Sequence, residues 1–172
     1  MRGARKITIC STKGGVGKTA LSVNLACEFA GMSRPTLLVD LSPQADATCH
    51  LGVKNENLEN SVYRLLSDKE DDTEKAIIPT RIRNLSIIPS DRAAMPGIEI
   101  ELVSMMGREA ILSEKIRRVE DKYDFIIFDC PSGTGLLTIN SLMASTEWLL
   151  PVQVHYLALN GLDQLFMTAL SL

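Results

Sequence analysis

The sequence has no apolar run approaching the roughly 18–20 residues of a membrane-spanning helix, and no membrane partner is expected. Arg2, Arg5 and Lys6 give a basic start, but Ile7-Thr8-Ile9-Cys10 runs straight into glycine and lysine, too short for the apolar core of a secretory signal. A cytosolic protein is expected. Its four cysteines, Cys10, Cys27, Cys49 and Cys130, show no C-x-x-C spacing, so they are read as reduced packing thiols. Cys49-His50 has no further ligands at metal-binding spacing, and nothing supplies the cysteine spacing of an iron–sulfur cluster. Internal repeats and low-complexity tracts are also missing. No excess of positive charge exists either: 18 Lys+Arg stand against 21 Asp+Glu, net −3. The pI of 5.4 argues against strong nucleic-acid binding by the chain as a whole.

What is present is ordinary globular composition, 45% apolar and 23% charged over 172 residues. That length suits one core. The basic excess is local: residues 1–40 carry six basic and two acidic side chains. Ser67–Lys75 holds five acids and reads as a solvated segment.

Strand and helix signals alternate. Apolar runs predict strands at Lys6–Ser11, Thr36–Val39, Leu85–Ile88, Phe125–Phe128 and Trp148–Val154. Helical spacing predicts helices at Gly17–Ala30, Ser61–Leu66, Ile98–Val119 with a break near Gly107, Leu136–Ala144, and from Leu159 onward. This alternation implies an α/β fold, a mostly parallel sheet with helices on both faces. Ligands in such sheets bind at the carboxyl ends of strands, where Asp40 and Asp129 fall.

The chemistry concentrates in Ser11-Thr12-Lys13-Gly14-Gly15-Val16-Gly17-Lys18-Thr19-Ala20, between the first strand and first helix. Glycines let a backbone wrap a phosphate and aim N–H groups at it, and a helix N-terminus favours an anion. Lys18 is placed to reach the β/γ-phosphates and the Thr19 hydroxyl to ligate Mg²⁺. The strict pattern G-x-x-x-x-G-K-[ST] wants glycine where this chain has Thr12, and Lys13 is extra. A competing reading takes Gly15-Val16-Gly17-Lys18-Thr19-Ala20 as G-x-G-x-x-A, with Asp40 holding a ribose hydroxyl of a dinucleotide. That reading leaves Lys13, the Lys18-Thr19 pair and Asp129 without roles.

With these residues in view, Lys13–Thr19 resembles the deviant Walker A motif of the ParA/MinD ATPases. Leu37-Leu38-Val39-Asp40-Leu41-Ser42-Pro43-Gln44 resembles that family's switch I. Phe128-Asp129-Cys130-Pro131 with Gly135–Asn140 resembles its Walker B and switch II region. Ile98–Leu102 and Arg108-Glu109 are similar to the Soj-like branch, and Pro151-Val152-Gln153 with Ala158–Leu162 to the following strand and helix. The resemblance implies ATP and Mg²⁺ as cofactors and a homodimer formed on ATP binding. It implies a role in plasmid or chromosome partitioning, a ParB-like activator protein and non-specific DNA as partners, and nucleoid association if DNA binding is retained. Lys18 would bind its own subunit's ATP and Lys13 the partner's. Thr19, Asp40 and Asp129 would serve the metal, and Lys13, Asp40 and position 42 catalysis.

Three departures stand out. Ser42 replaces the second acid of the family's D-x-D-P-Q, which raises the alternative of a hydrolysis-deficient ATP-binding regulator, unless Asp46 or a water network takes over the role of the missing acid. Ser132 and Gly133 replace a more rigid proline-containing segment. Finally, Leu162, Leu165, Phe166, Ala169 and Leu170 form an apolar helix face where the family continues with further strands. Residues 1–172 are thus expected to be the nucleotide-binding part of a longer domain, with the basic DNA-binding surface missing or, alternatively, an inactive truncated homologue.

Overall fold

The computed structural model describes residues 3–54, 58–67 and 72–153, together with 163, 165–167 and 170. Six strands form one sheet: β1 Arg5–Ser11, β2 Thr36–Asp40, β3 Ile78–Pro79, β4 Leu85–Ile88, β5 Phe125–Ser132 and β6 Glu147–Leu149. Their spatial order is β3-β4-β2-β5-β1-β6. All neighbours pair in parallel except the two-residue β3, which lies antiparallel on the edge against β4. The α/β fold expected from the alternating pattern is the one observed.

The strands are apolar on both faces, so each face has its own core. On one side Ile7, Ile9, Leu38 and Ile127 pack under helix α1, Lys18–Gly31, and the short α2, Asp46–His50. On the other, Cys10, Leu37, Val39, Ile126, Phe128 and Cys130 pack under α3 Val62–Leu66, α4 Ile98–Val103, α5 Ile111–Arg117 and α6 Leu136–Ala144. Residues 126–128 are 0% exposed, the signature of a central parallel strand. Burial at about 25 cal/mol per Å² of apolar surface makes these two layers the main stabilising contribution.

Several boundaries differ from the sequence expectation. β5 runs to Ser132 rather than ending at Phe128, because the parallel ladder with β1 continues, with an irregularity between Ile9 and Ser11, to a Ser11–Ser132 rung. The 98–119 stretch is two helices; Gly107 takes a left-handed φ of 66° between them, and its lack of a Cβ makes that turn accessible. β6 covers Glu147–Leu149, and 150–153 are outside any strand, while Val154 and His155 lie outside the described residues. So do Leu162, Ala169 and Ala158–Leu162; within the expected last helix, Leu165 is buried and Leu170 exposed. Of the acidic segment, residues 68–71 lie outside the described residues, and Thr73–Ala76 form a 3-10 turn. The edge strand β3 and helix α2 have no counterpart in the sequence reading: two and five residues are too short for a periodic pattern.

Candidate functional site

The phosphate-type loop occupies residues 12–17, between the carboxyl end of β1 and the start of α1. Gly15 and Gly17 hold φ values of 73° and 88°, a left-handed conformation that L side chains reach only at a cost of about 1–2 kcal/mol each. A Cβ on either would meet nothing within 4 Å, so backbone conformation, not space, selects glycine there. Gly14 has no positive φ, and a Cβ there would stand 3.6 Å from the Ser132 hydroxyl, an ordinary contact.

The loop forms one wall of a cavity of about 560 Å³, within the range of small-molecule and cofactor sites. Gly14, Gly15, Gly17, Lys18, Thr19 and Ala20 line it from one side. Ser42, Pro43, Gln44 and Asp46 line it from the end of β2, and Cys130, Pro131 and Ser132 from the end of β5. The structure therefore brings together three segments spread over more than a hundred residues of the chain. Lys13 and Val16 are not among the lining residues. Lys13 is exposed, and its Nζ donates to Gln153 Oε1 at 2.6 Å.

Lys18 is 8% exposed. Its Nζ donates to Ser132 Oγ at 2.8 Å and, at 3.4 Å, to the Lys13 carbonyl. Burial pulls its pKa down, while Asp129 and two thiols favour the charged form. The hydroxyl of Ser132 thus carries one of the lysine's hydrogen bonds at a position the sequence reading treated only as a loosened backbone.

Asp40 and Asp129 are both 0% exposed and lie beneath the cavity, not on its lining. Asp40 accepts from Ser42 N (3.0 Å), Thr48 N (2.9 Å) and Thr48 Oγ1 (2.7 Å), so both its oxygens are engaged. Burial and the adjacent Asp129 push its pKa up to about 7. Asp129 Oδ1 accepts from Ser22 Oγ at 2.8 Å, and Oδ2 is buried with no hydrogen-bond partner. Burial raises the Asp129 pKa; hydroxyls of Ser22 and Thr19 and the Lys18 charge act against it. A buried carboxylate oxygen left without a partner costs about 1–3 kcal/mol or more. Beside a threonine that lines the cavity, that oxygen suits a hard cation and its water shell.

Ser42 lines the cavity, and its Oγ accepts from Gln44 N at 3.3 Å. Three residues that no motif flagged hold this segment. Thr48 Oγ1 also accepts from Ser90 N (2.9 Å), Ser90 Oγ donates to the Ser42 carbonyl (2.7 Å), and Arg92 donates twice to the Gln44 carbonyl (3.0 and 2.6 Å). Thr48 lies in α2 beyond β2, and the only signal of Ser90 and Arg92 in the sequence is position, just after the apolar run of β4 at the same end of the sheet. The cysteines are free thiols, Cys10 and Cys130 buried. Among the described residues no cluster of His, Cys, Asp and Glu could hold a metal alone, and no helix is long and apolar enough to cross a membrane.

Comparison with known proteins agrees with this geometry. The AAA domain family profile matches residues 4–171. The chain is 45% identical over 162 residues to the Bacillus subtilis sporulation initiation inhibitor protein Soj, covering 94% of this chain and 63% of that protein. It is 43% identical over 162 residues to the Myxococcus xanthus chromosome partitioning protein ParA, covering 94% and 56%. The chain thus spans under two thirds of the length of these curated relatives. The crystal structure of cobyrinic acid a,c-diamide synthase from Mycobacterium smegmatis with bound ADP and magnesium superposes with a TM-score of 0.90 at 30% identity, over 98% of this chain and 67% of that one. Motif, cavity and relatives converge: the chain belongs to the AAA domain family of P-loop ATPases, on its ParA/Soj-like side.

Proposed function

We propose that this chain binds Mg·ATP in the cavity at the carboxyl ends of β1, β2 and β5 and hydrolyses it as a dimerisation switch in plasmid or chromosome partitioning. The observation that carries the reading is Lys18. A buried ammonium whose partners are one hydroxyl and one carbonyl, at the mouth of a loop with two left-handed glycines, is poised to exchange them for phosphate oxygens. Charge-assisted bonds of that kind are roughly twice as strong as neutral ones.

The residues present fit Mg²⁺. The Thr19 hydroxyl would hold it directly, and the open Oδ2 of Asp129 would hold its water shell, with Asp40 behind. When bound, the ion would neutralise charge on the phosphates. The backbone of Gly14–Gly17, Val16 included, would orient the phosphate chain with Lys18, and Ala20 in the first turn of α1 lines the cavity beside them. Lys13 would leave Gln153 to reach a partner subunit's nucleotide. A ParB-like activator protein and non-specific DNA are the partners that the ParA relationship supports, in a cytoplasmic setting.

A second reading is favoured by one observation. Ser42 offers the cavity a hydroxyl where the family carries an acid, and a positioning acid contributes about 10²–10⁴-fold to such reactions. The chain would then bind ATP without turning it over. Measuring Mg·ATP binding and hydrolysis on the purified protein, with Lys18→Ala as control, decides. Turnover abolished by Lys18→Ala supports the switch; binding without turnover supports the regulator. A parent protein that binds no ATP overturns both.

A further inference from the structure

We infer that Asp46 is the carboxylate by which this chain orients the water attacking the terminal phosphoryl group, and that Arg92 is its positioning residue; this rests on the cavity being an ATP site. Three acids gather at the ends of β2 and β5. Asp40 is saturated by three protein donors, and Asp129 sits beneath the loop. Neither lines the cavity. Asp46 does, and it is the one carboxylate among the described lining residues. Its side chain is 55% exposed, open to water on the cavity side.

The local backbone is built to aim it. Ala45, immediately before, has a left-handed φ of 54°, a conformation costing a non-glycine residue about 1–3 kcal/mol and kept only where surroundings enforce it. The enforcing contacts are on both sides. Ala45 N donates to the Ser42 carbonyl at 2.9 Å, and Thr48, two residues beyond Asp46, is fixed on Asp40. Arg92 then clamps the Gln44 carbonyl with two N–H groups and places its Nη2 3.6 Å from Asp46 Oδ1. One guanidinium therefore holds the turn by two hydrogen bonds and sets a positive charge beside the carboxylate it presents. In this role the carboxylate would accept a hydrogen bond from the attacking water on the cavity side.

In the step this serves, the water oxygen forms a bond to the γ-phosphorus. The bond from that phosphorus to the β–γ bridging oxygen breaks, and its electron pair leaves with ADP. The water's displaced proton ends on the inorganic phosphate. Asp46 supplies orientation, the role of a water-positioning residue in phosphoryl transfer.

The test compares ATP turnover and equilibrium ATP binding for the parent protein, Asp46→Asn, Asp46→Asn with Ser42→Asp, Arg92→Ala and Arg92→Lys. Asp46→Asn should lower kcat by about 10²-fold with ATP binding unchanged, and adding Ser42→Asp should restore turnover. Arg92→Ala should lower kcat and leave KM near the parent value, with Arg92→Lys partly rescuing kcat. Asp46→Asn turning over like the parent overturns the proposal, as does its losing ATP binding along with turnover. A parent that binds ATP without hydrolysing it overturns this role for Asp46 while nucleotide binding stands. A parent that binds no ATP removes the site reading itself.

Discussion

Asp40 and Asp129 are register partners on the adjacent parallel strands β2 and β5, two buried acids on one rung at the carboxyl edge of the sheet. Like charges so placed disfavour each other's ionisation, and burial disfavours both. Burial first, then Asp129, raises Asp40 from 3.8 to about 7, and burial raises Asp129 in the same direction. The folded protein thus keeps a proton that the unfolded chain has already released, so its stability falls as pH rises through this window.

The first prediction is a thermal midpoint, without nucleotide, that declines between about pH 4 and about pH 7 and then levels. Asp129→Asn removes the neighbouring charge. It should flatten the decline and raise the midpoint above pH 7, while weakening Mg²⁺-dependent ATP binding. Differential scanning calorimetry across pH reads the first effect and titration calorimetry the second. A midpoint that climbs through the same interval would contradict the paired-acid account.

Two loop glycines should respond differently to a methyl group. Gly17→Ala imposes a Cβ on a φ of 88° and should destabilise by about 1–2 kcal/mol, besides re-aiming the amide that opens α1. Gly14→Ala meets only the Ser132 hydroxyl, at an ordinary contact distance, and should be near neutral in stability. Urea denaturation of both variants checks the contrast.

Much of this was legible in the sequence, for a definable reason. The strands at 36–39, 85–88 and 125–128 are apolar but for Thr36 and Ser86, and a parallel sheet covered on both faces buries such runs. The loop was legible because glycine, lysine and threonine at that spacing have few other uses together. What stayed hidden is whatever depends on tertiary approach. Asp40 reads as a strand-end acid facing ligand, yet its oxygens are consumed by Ser42 and Thr48. Ser90 and Arg92 follow β4 in an unremarkable stretch, and only the pairing of β4 beside β2 brings them onto the Ser42–Asp46 segment. Asp46 was legible as an acid near Ser42, but its place on the cavity wall was not.

A third prediction concerns the exit from β5 into α6. The Glu99 carboxylate on α4 accepts from Leu137 N at 3.4 Å, in the first turn of α6, where an anion is favoured by the helix dipole. A Cβ on Gly135 would overlap that carboxylate. Gly135→Ala should therefore displace Glu99 and cost about 0.3–1 kcal/mol from the lost contact. Glu99→Ala should cost a similar amount, and the double variant no more than Glu99→Ala alone. Full additivity in denaturation measurements would show that Glu99 is not what Gly135 accommodates.

The last prediction tests the buried ring that carries the Ser42–Asp46 segment. Thr48 Oγ1 donates to Asp40 Oδ2 and accepts from Ser90 N. Thr48→Val keeps the shape and deletes the hydroxyl. Ser90 N–H then loses its acceptor, and a buried polar group left so costs about 1–3 kcal/mol. Asp40 also loses one of the three donors that favour its ionised form, so its pKa should rise further. The variant should therefore be most destabilised above about pH 7, where Asp40 must carry charge, and recover part of the deficit on acidification as a proton replaces the missing donor. Thr48→Ser restores the hydroxyl and should restore stability at both ends of the range. Equal destabilisation of Thr48→Val at low and high pH would mean that the Ser90 contact alone accounts for its loss.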